Sequence, residues 1–589
     1  MKRVALAALL LLLLTPFPSA AAGEYRTLEV QSLRITIDSE WGSRLAPGYL
    51  PVRFDITNLG EARVIEIVGE GTRYSRFVRS VANVHVRRSL PMARGDRVRV
   101  TLPIPVFADS ENLRFEIQEH GETLERFNYM TFQSAAAPAD ASVLIVAASS
   151  TPFGKAAGTL PRPPSPAAGG LSAPGGTLAT VDFVLEPARL PANWIGYTSV
   201  RAVVIGAAEF GMLEDAQKDA LLTWAASGGT LIVEAGDGAL RGAADSLAPD
   251  AAADGSGVAY FFGRISRRPS AAIASAGLAA ALVDAERTQD ESWALPVNRS
   301  GASFRVAIPG VNGVPRRAYL SILILFTLLI GPVNYWVLWR RRRPVLFVLT
   351  APLTSAMFIV LLAGYVIAAE GFHVSGRALT LTMLDQARKQ AVTRGRFSLY
   401  AAGMTPGGGL RFPRDVAVFP VVADGRSGGS RQILDLTETQ QFASGLIQAR
   451  AQSDLEQVAF RAARERLTFE RDASGVRVTN GLGARIQSLV FRSHGAVYAL
   501  EAPLADGATA ALKSGRVDAQ ALASRDIPAP PLFFTRLLQS QPDGSYVALL
   551  DSSPFWEPGV TGVLERGSFH VVLGWPDGQP GQPARPAQP

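Results

Sequence analysis

Three hydrophobic patterns follow one another along the chain, and each predicts a different kind of element. From residue 24 to 135, apolar and polar positions alternate with period two, as half-buried strands require. Segments 33–37, 49–57, 64–68, 81–87, 97–102 and 113–118 follow this rule, with turn residues between them. Pro51-Val52-Arg53-Phe54-Asp55-Ile56-Thr57 alternates most clearly and closes on Asn58-Leu59-Gly60, an Asn-x-Gly turn. Short strands at about ten-residue spacing predict an immunoglobulin-like β-sandwich.

After an Ala/Pro linker at 134–140, the apolar residues become continuous. Val143-Leu144-Ile145-Val146-Ala147 reads as a strand buried on both faces, as parallel sheets demand. A Pro/Gly/Ala/Ser-rich insertion spans 149–180, and 181–185 reads as a second strand. Ala202-Val203-Val204-Ile205-Gly206 is a further buried strand, and 214–226 a helix with Ala220, Leu221, Trp224 and Ala225 on one face. Gly228-Gly229 closes that helix, since glycine accepts the left-handed cap. Thr230-Leu231-Ile232-Val233 completes a βαβ crossover, expected to be right-handed. A strand at 258–262 and an Ala-rich helix at 270–286 extend an α/β domain expected over 141–312.

The third pattern is two long apolar runs, 318–339 and 345–369. At about 1.5 Å per residue they reach roughly 33 and 38 Å, enough to cross a hydrocarbon layer of about 30 Å. Arg340, Arg341, Arg342 and Arg343 fill the short connection between them and outvote Arg316 and Arg317 on the other flank. The reading is a transmembrane hairpin with a cytoplasmic tip and both large flanking regions outside. Tyr335, Trp336 and Trp339 stand where an interfacial aromatic belt belongs. Gly331, Pro332 and Asn334 interrupt the first span, and Pro352 the second. Asn334 needs a hydrogen-bond partner, found either within the hairpin or on another membrane protein.

Residues 370–576 return to strand-like alternation, read as one larger or two smaller sandwiches, and 577–589 is a Pro/Gln/Gly-rich tail expected to be disordered. At the other end, Lys2 and Arg3, a short apolar stretch and Ala20-Ala21-Ala22 read as a secretory leader over residues 1–22.

Composition removes several kinds of chemistry. There is no cysteine, which excludes thiol nucleophiles, disulfides and thiolate metal sites. The five histidines are scattered, and neither His373 nor His494 has a neighbour at ligand spacing, so no metal and no cofactor is expected. The net charge of +7 comes from 58 basic against 51 acidic residues, scattered rather than gathered into a nucleic-acid face. Phosphate-binding, dinucleotide, zinc-protease and EF-hand motifs are all missing. Arg73, Arg76, Arg79, Arg87 and Arg88 make a basic cluster, read as solvated strand faces or as a contact for anionic headgroups or cell-wall polymer.

Several segments together resemble a known group. They are Leu190-Pro191 with Trp194 and Tyr197, the strand 202–206, Leu221-Leu222-Thr223-Trp224 and Gly228-Gly229-Thr230-Leu231. Gly331-Pro332-Val333-Asn334-Tyr335, Gly544-Ser545-Tyr546 and Ser553-Pro554-Phe555 belong to the same set. The chain resembles exported bacterial membrane proteins that carry a degenerate class I glutamine amidotransferase-like domain of flavodoxin-like α/β type. The resemblance implies layout, not an activity. Active members of that fold use a Cys paired with His and Glu, whereas this chain has no Cys and no His between Ala141 and Arg317.

Open α/β sheets bind ligands at their carboxyl edge, which makes Ser149, Gly206, Glu209, Gly236 and Asp237 the candidate crevice. A hydrolase there would need Ser149 or Ser150 beside a carboxylate such as Asp182, Glu209, Glu234 or Asp237. The leading expectation is a non-enzymatic envelope protein in the bacterial inner membrane, with binding or scaffolding domains in the periplasm. Its partners are the lipid bilayer and another membrane protein; nucleic acid is not expected, and the ligand is unknown. The alternatives are an accessory subunit of an exporter and a periplasmic hydrolase.

Overall fold

Alternation becomes one-sided burial. β1 (Tyr25–Val30), β2 (Leu33–Ser39), β3 (Gly48–Asn58), β4 (Arg63–Arg73), β5 (Val84–Met92), β6 (Arg97–Val106), β7 (Ser110–Glu119) and β8 (Glu122–Thr131) open the chain. In β2, Leu33, Ile35 and Ile37 are buried while Arg34 is exposed. The computed structural model describes residues 25–39, 41, 48–73, 84–106, 110–131, 142–157, 181–235, 258–269, 306–311, 316–370, 373–402, 409–421, 432–472, 475–515 and 537–577. The expected leader, the linker at 134–140, Arg76, Arg79, Gly236, Asp237, the helix at 270–286 and the tail from residue 578 lie outside the described residues.

The fold is β-rich and multidomain, in two compact units. One holds the described residues of Met1–Ala294 and Ser427–Glu438, the other those of Leu295–Arg426 and Thr439–Gly581. In the first unit, an antiparallel sheet runs β1-β2-β3-β6. A second runs β5-β4-β7-β8, also antiparallel. The Phe54 ring of the first meets Phe115 of the second edge-on, with centroids 5.0 Å apart. The free edge of β5 receives a strand from far along the chain. Gln432–Asp435 pairs with it in parallel, Gln432 opposite Val84 and Asp435 opposite Arg87. This strand comes from the stretch expected to build only the C-terminal β region.

The α/β layer follows. β9 (Ser142–Val146), α1 (Pro152–Ala157), β10 (Val181–Leu185), β11 (Ala202–Gly206), α2 (Ala207–Met212), α3 (Asp215–Ala226), β12 (Thr230–Ala235), β13 (Val258–Tyr260) and β14 (Gly263–Pro269) build it. The strands lie in the order β10-β9-β11-β12-β14-β13, every pairing parallel except β13 with β14. Taken in chain order, the parallel strands therefore run 2-1-3-4-5, an order of doubly wound open sheets. The strand expected at 258–262 ends at Tyr260, because Phe261 turns with φ +50°. It forms only the antiparallel edge; the fifth parallel strand is β14, whose arginines hid it from a search for apolar runs.

α3 begins with a capping box. Glu214 caps it while its own amide donates to Gln217 Oε1 at 2.9 Å. At the other end Gly228 takes φ +123°, and a Cβ on Gly229 would run into the Trp224 indole. Trp224 in turn lies beside Tyr197, and Tyr197 beside Trp41, each pair with centroids 6.0 Å apart. Trp41 Nε1 donates to Ser199 Oγ at 3.1 Å, and Arg189 reaches Asp38 at 2.6 Å. These contacts seat the α/β layer on the first sheet.

The second unit centres on Val374–Asp385, antiparallel to Gln390–Ala401 on one side and parallel to Phe569–Trp575 on the other. Its helices are α4 (Arg316–Leu328), α5 (Asn334–Arg340) and α6 (Phe347–Glu370), with a π-helical turn at Leu329–Val333 joining the first two. The wider π turn accommodates Pro332, which has no N–H to give. Among the described residues, Leu320–Arg340 is long and apolar enough to cross a membrane, while the apolar stretch Phe347–Leu362 is shorter. The helices touch through Phe326 and Phe358, whose ring centroids are 4.9 Å apart.

Candidate functional site

In the 2-1-3-4-5 order the strand order reverses between β9 and β11, and that switch point is where a crevice is expected. The β9 loop runs through Ala148, Ser149 and Thr151 into α1. Thr151 caps α1, its Oγ1 accepting from the Gly154 amide at 3.0 Å, and Pro152 occupies the first helical position. The β11 loop is shorter: Gly206 passes directly into α2, which carries Glu209.

Glu209 is completely buried. Its Oε1 accepts from the Ala148 amide at 3.3 Å and from the Thr151 hydroxyl, so it ties one loop to the other. Its Oε2 has no hydrogen-bond partner among the described residues and lies against Gly206, where a Cβ would collide with it. Phe153, also buried, closes the space from the α1 side. The switch point is therefore filled by the protein's own side chains.

Of the five expected crevice residues, Gly206 and Glu209 are brought together. Ser149 is not joined to Glu209; it is exposed, and its amide donates to Glu186 Oε1 at 3.3 Å. The hydroxyl that meets the carboxylate is Thr151, which sequence reasoning passed over in favour of the two serines before it. A hydroxyl against a carboxylate is the pairing a nucleophile and base would need. Here both groups are buried, and the oxygen of Thr151 is already committed to Ala148, Gly154 and Glu209. The arrangement clamps two loops.

Three further constellations stand apart from the switch point. On the sandwich, Glu70, His85, Arg114, Glu116, Gln118 and Arg126 line a shallow groove of about 390 Å³. Its charges compensate locally, with Arg126 on Glu116 at 2.6 Å and Gln118 donating to Glu116 at 2.8 Å. In the hairpin, Asn334 Oδ1 accepts from Thr350 Oγ1 at 3.1 Å, while its Nδ2 has no acceptor among the described residues. Space beside Gly331 is open.

In the second unit, buried His570 links Thr380 Oγ1, 2.8 Å from Nδ1, to Glu565 Oε2, 3.2 Å from Nε2. Thr380 and His570 are 190 residues apart, so no local motif marks the relay. Burial works to raise the Glu565 carboxyl, but hydrogen bonds from His570 and Ser568 outweigh it and hold it below the ordinary range. No group of three or more potential metal ligands occurs among the described residues.

No family model matches the chain, and no curated protein does. Among solved structures, it is similar in part to an RGD-containing host-selective toxin of Pyrenophora tritici-repentis, at 17% identity and TM-score 0.13, over 17% of this chain and 86% of that one. The yeast delta-COP-I mu-homology domain is similar at 8% identity and TM-score 0.17, over 34% of this chain and 95% of that one. A beta-glucosidase from Listeria innocua is similar at 13% identity and TM-score 0.13, over 19% of this chain and 16% of that one. Likenesses at this level carry no argument about fold or function.

Proposed function

We propose that the chain is a non-enzymatic envelope protein, anchored in the bacterial inner membrane by a helical hairpin, with its β and α/β regions outside the cytoplasm. The observation that carries the hairpin is interleaving. Gln432–Asp435 follows α6 in sequence, yet it pairs in parallel with β5, which precedes α4. In the second unit, Ile308, before α4, packs with Tyr400 and Ala402, after α6. This interleaving supports placing the chain before and after the apolar segment in one compartment, as a two-helix hairpin would. The Arg340–Arg343 tip supports placing the turn in the cytoplasm.

The parallel strand order and the filled switch point support a degenerate amidotransferase-like domain used for scaffolding rather than catalysis. The open acceptor requirement of Asn334 Nδ2, beside Gly331 and Pro332, supports a membrane partner that supplies a carbonyl or side-chain oxygen.

Because the chain has no cysteine, single cysteines report topology without background. In intact spheroplasts, a membrane-impermeant maleimide should label E122C and E557C, whereas R342C should label only after permeabilisation. Labelling of E122C with protection of E557C would refute the hairpin.

A further inference from the structure

The end of α5 and the turn after it carry Arg340, Arg341, Arg342 and Arg343, all four exposed, and among the described residues none is paired with a carboxylate. Cations at a helix C-terminus ordinarily serve its last carbonyls. Three of these carbonyls are already served. Val337, Trp339 and Leu338 accept from the backbone amides of Arg341, Arg342 and Arg343 at 3.1, 2.9 and 3.0 Å. The last two bonds make a Schellman cap, whose left-handed position normally holds glycine. Here it holds Arg342, with φ +54°. A charged side chain thus occupies a conformation that disfavours any Cβ, in a turn whose backbone cap already serves three of the helix's last carbonyls. Arginine is held at this position at a conformational cost.

The neighbourhood suits one kind of ligand. Arg340 lies over the Trp336 ring, 5.4 Å from its centroid, and Tyr335, Trp336 and Trp339 are all exposed. Amphipathic rings flanking cations at the end of an apolar helix sit at headgroup depth. Guanidinium groups match phosphate oxygens in both charge and geometry.

We propose that the Arg340–Arg343 turn is a binding site for anionic phospholipid headgroups, selecting them over zwitterionic ones. This rests on the membrane reading above, and the test separates the two. The full chain is reconstituted in phosphatidylcholine vesicles containing an equal fraction of acyl-brominated phosphatidylglycerol or acyl-brominated phosphatidylcholine, and tryptophan quenching is read. The anionic probe should be preferred by about fivefold or more. R340Q/R341Q/R342Q/R343Q should bring the preference to unity while leaving quenching by the phosphatidylcholine probe intact. R342G should raise thermal stability, because glycine fits the left-handed cap, and still reduce the preference; a loss of binding would then not be a loss of fold. Equal quenching of the native chain by both probes overturns the headgroup site alone. Absence of quenching by either overturns the membrane reading with it.

Discussion

Arg87 and Asp435, 348 residues apart in sequence, meet through two hydrogen bonds, Nε at 3.1 Å and Nη2 at 2.5 Å from the same carboxylate oxygen. Around them the Leu436 amide donates to the Arg87 carbonyl at 2.8 Å, and the Ser89 amide to Thr437 Oγ1 at 3.0 Å. Leu434 is buried, and these polar contacts add to the backbone ladder in holding the strand to the edge of β5.

Asp435→Asn should therefore loosen the strand selectively. Arg87 is 38% exposed, so the pair is partly screened and its loss should cost about 1 kcal/mol. Hydrogen exchange at the Leu436 and Ser89 amides should accelerate about fivefold. Burial works to raise the Asp435 carboxyl, but bonds from Thr437 and Arg87 hold it below the ordinary range. The stabilisation is thus complete above an unfolded-state pKa of about 4 and fades as pH falls through the lower folded-state value. Protection factors at these amides insensitive both to the substitution and to acidification would show that the pair does not hold the strand.

Gly206→Ala tests the clamp at the switch point. Gly206 has φ −69°, which any residue can adopt, so space rather than backbone conformation requires glycine there. A Cβ would meet Glu209 Oε2 and the Phe153 ring, and overpacking of this kind should cost about 1–3 kcal/mol. Glu209→Ala should itself cost about 1–3 kcal/mol by leaving the buried Ala148 amide without its acceptor and the Thr151 hydroxyl with the Ala148 carbonyl alone. In the double variant the new methyl gains room, so the two losses should sum to less than their parts. Additive denaturant melts would show that the two residues do not press on each other.

Parts of this layout were legible in one dimension, and parts could not be. Alternation marks β2, β3, β4, β6 and β7 because each buries one face. β1 and β8 are sheet edges that bury less, and the pattern blurs there. The Gln432–Asp435 strand is too short to show a period, and its partner lies hundreds of positions away. At the switch point, Glu209 was legible as a carboxylate beyond the carboxyl end of a buried strand. Its partner was not, because Ser149, Ser150 and Thr151 offer the same hydroxyl chemistry and only the path of the loop chooses between them.

In the hairpin, Asn334 and Thr350 should couple. Asn334→Val and Thr350→Val each remove one side of a single hydrogen bond, and on the membrane reading proposed above such a bond is worth about 0.6 kcal/mol. A double-mutant cycle, read by unfolding in mixed micelles, should give a coupling of that size. Zero coupling would place the stability of the hairpin in its apolar contacts alone.

The Thr380–His570–Glu565 relay makes the most demanding prediction. With Glu565 ionised, Nε2 of His570 carries the proton and donates to it, leaving Nδ1 to accept from the Thr380 hydroxyl. His570→Ala strands buried Thr380 and opens a cavity, and should cost about 2–4 kcal/mol. Thr380→Val removes one donor and should cost about 1 kcal/mol. Together they should cost less than the sum, since the second change no longer breaks a bond. The depressed Glu565 pKa sets the pH response. Its stabilisation is present above an unfolded-state value of about 4.3 and is lost as pH falls through the lower folded-state value. Glu565→Gln should accordingly be less stable than the native chain at neutral pH, and the two should converge in denaturant melts on acidification. A constant gap between them across that range would mean that the Glu565 charge contributes nothing, and that the relay is held by shape and neutral hydrogen bonds alone.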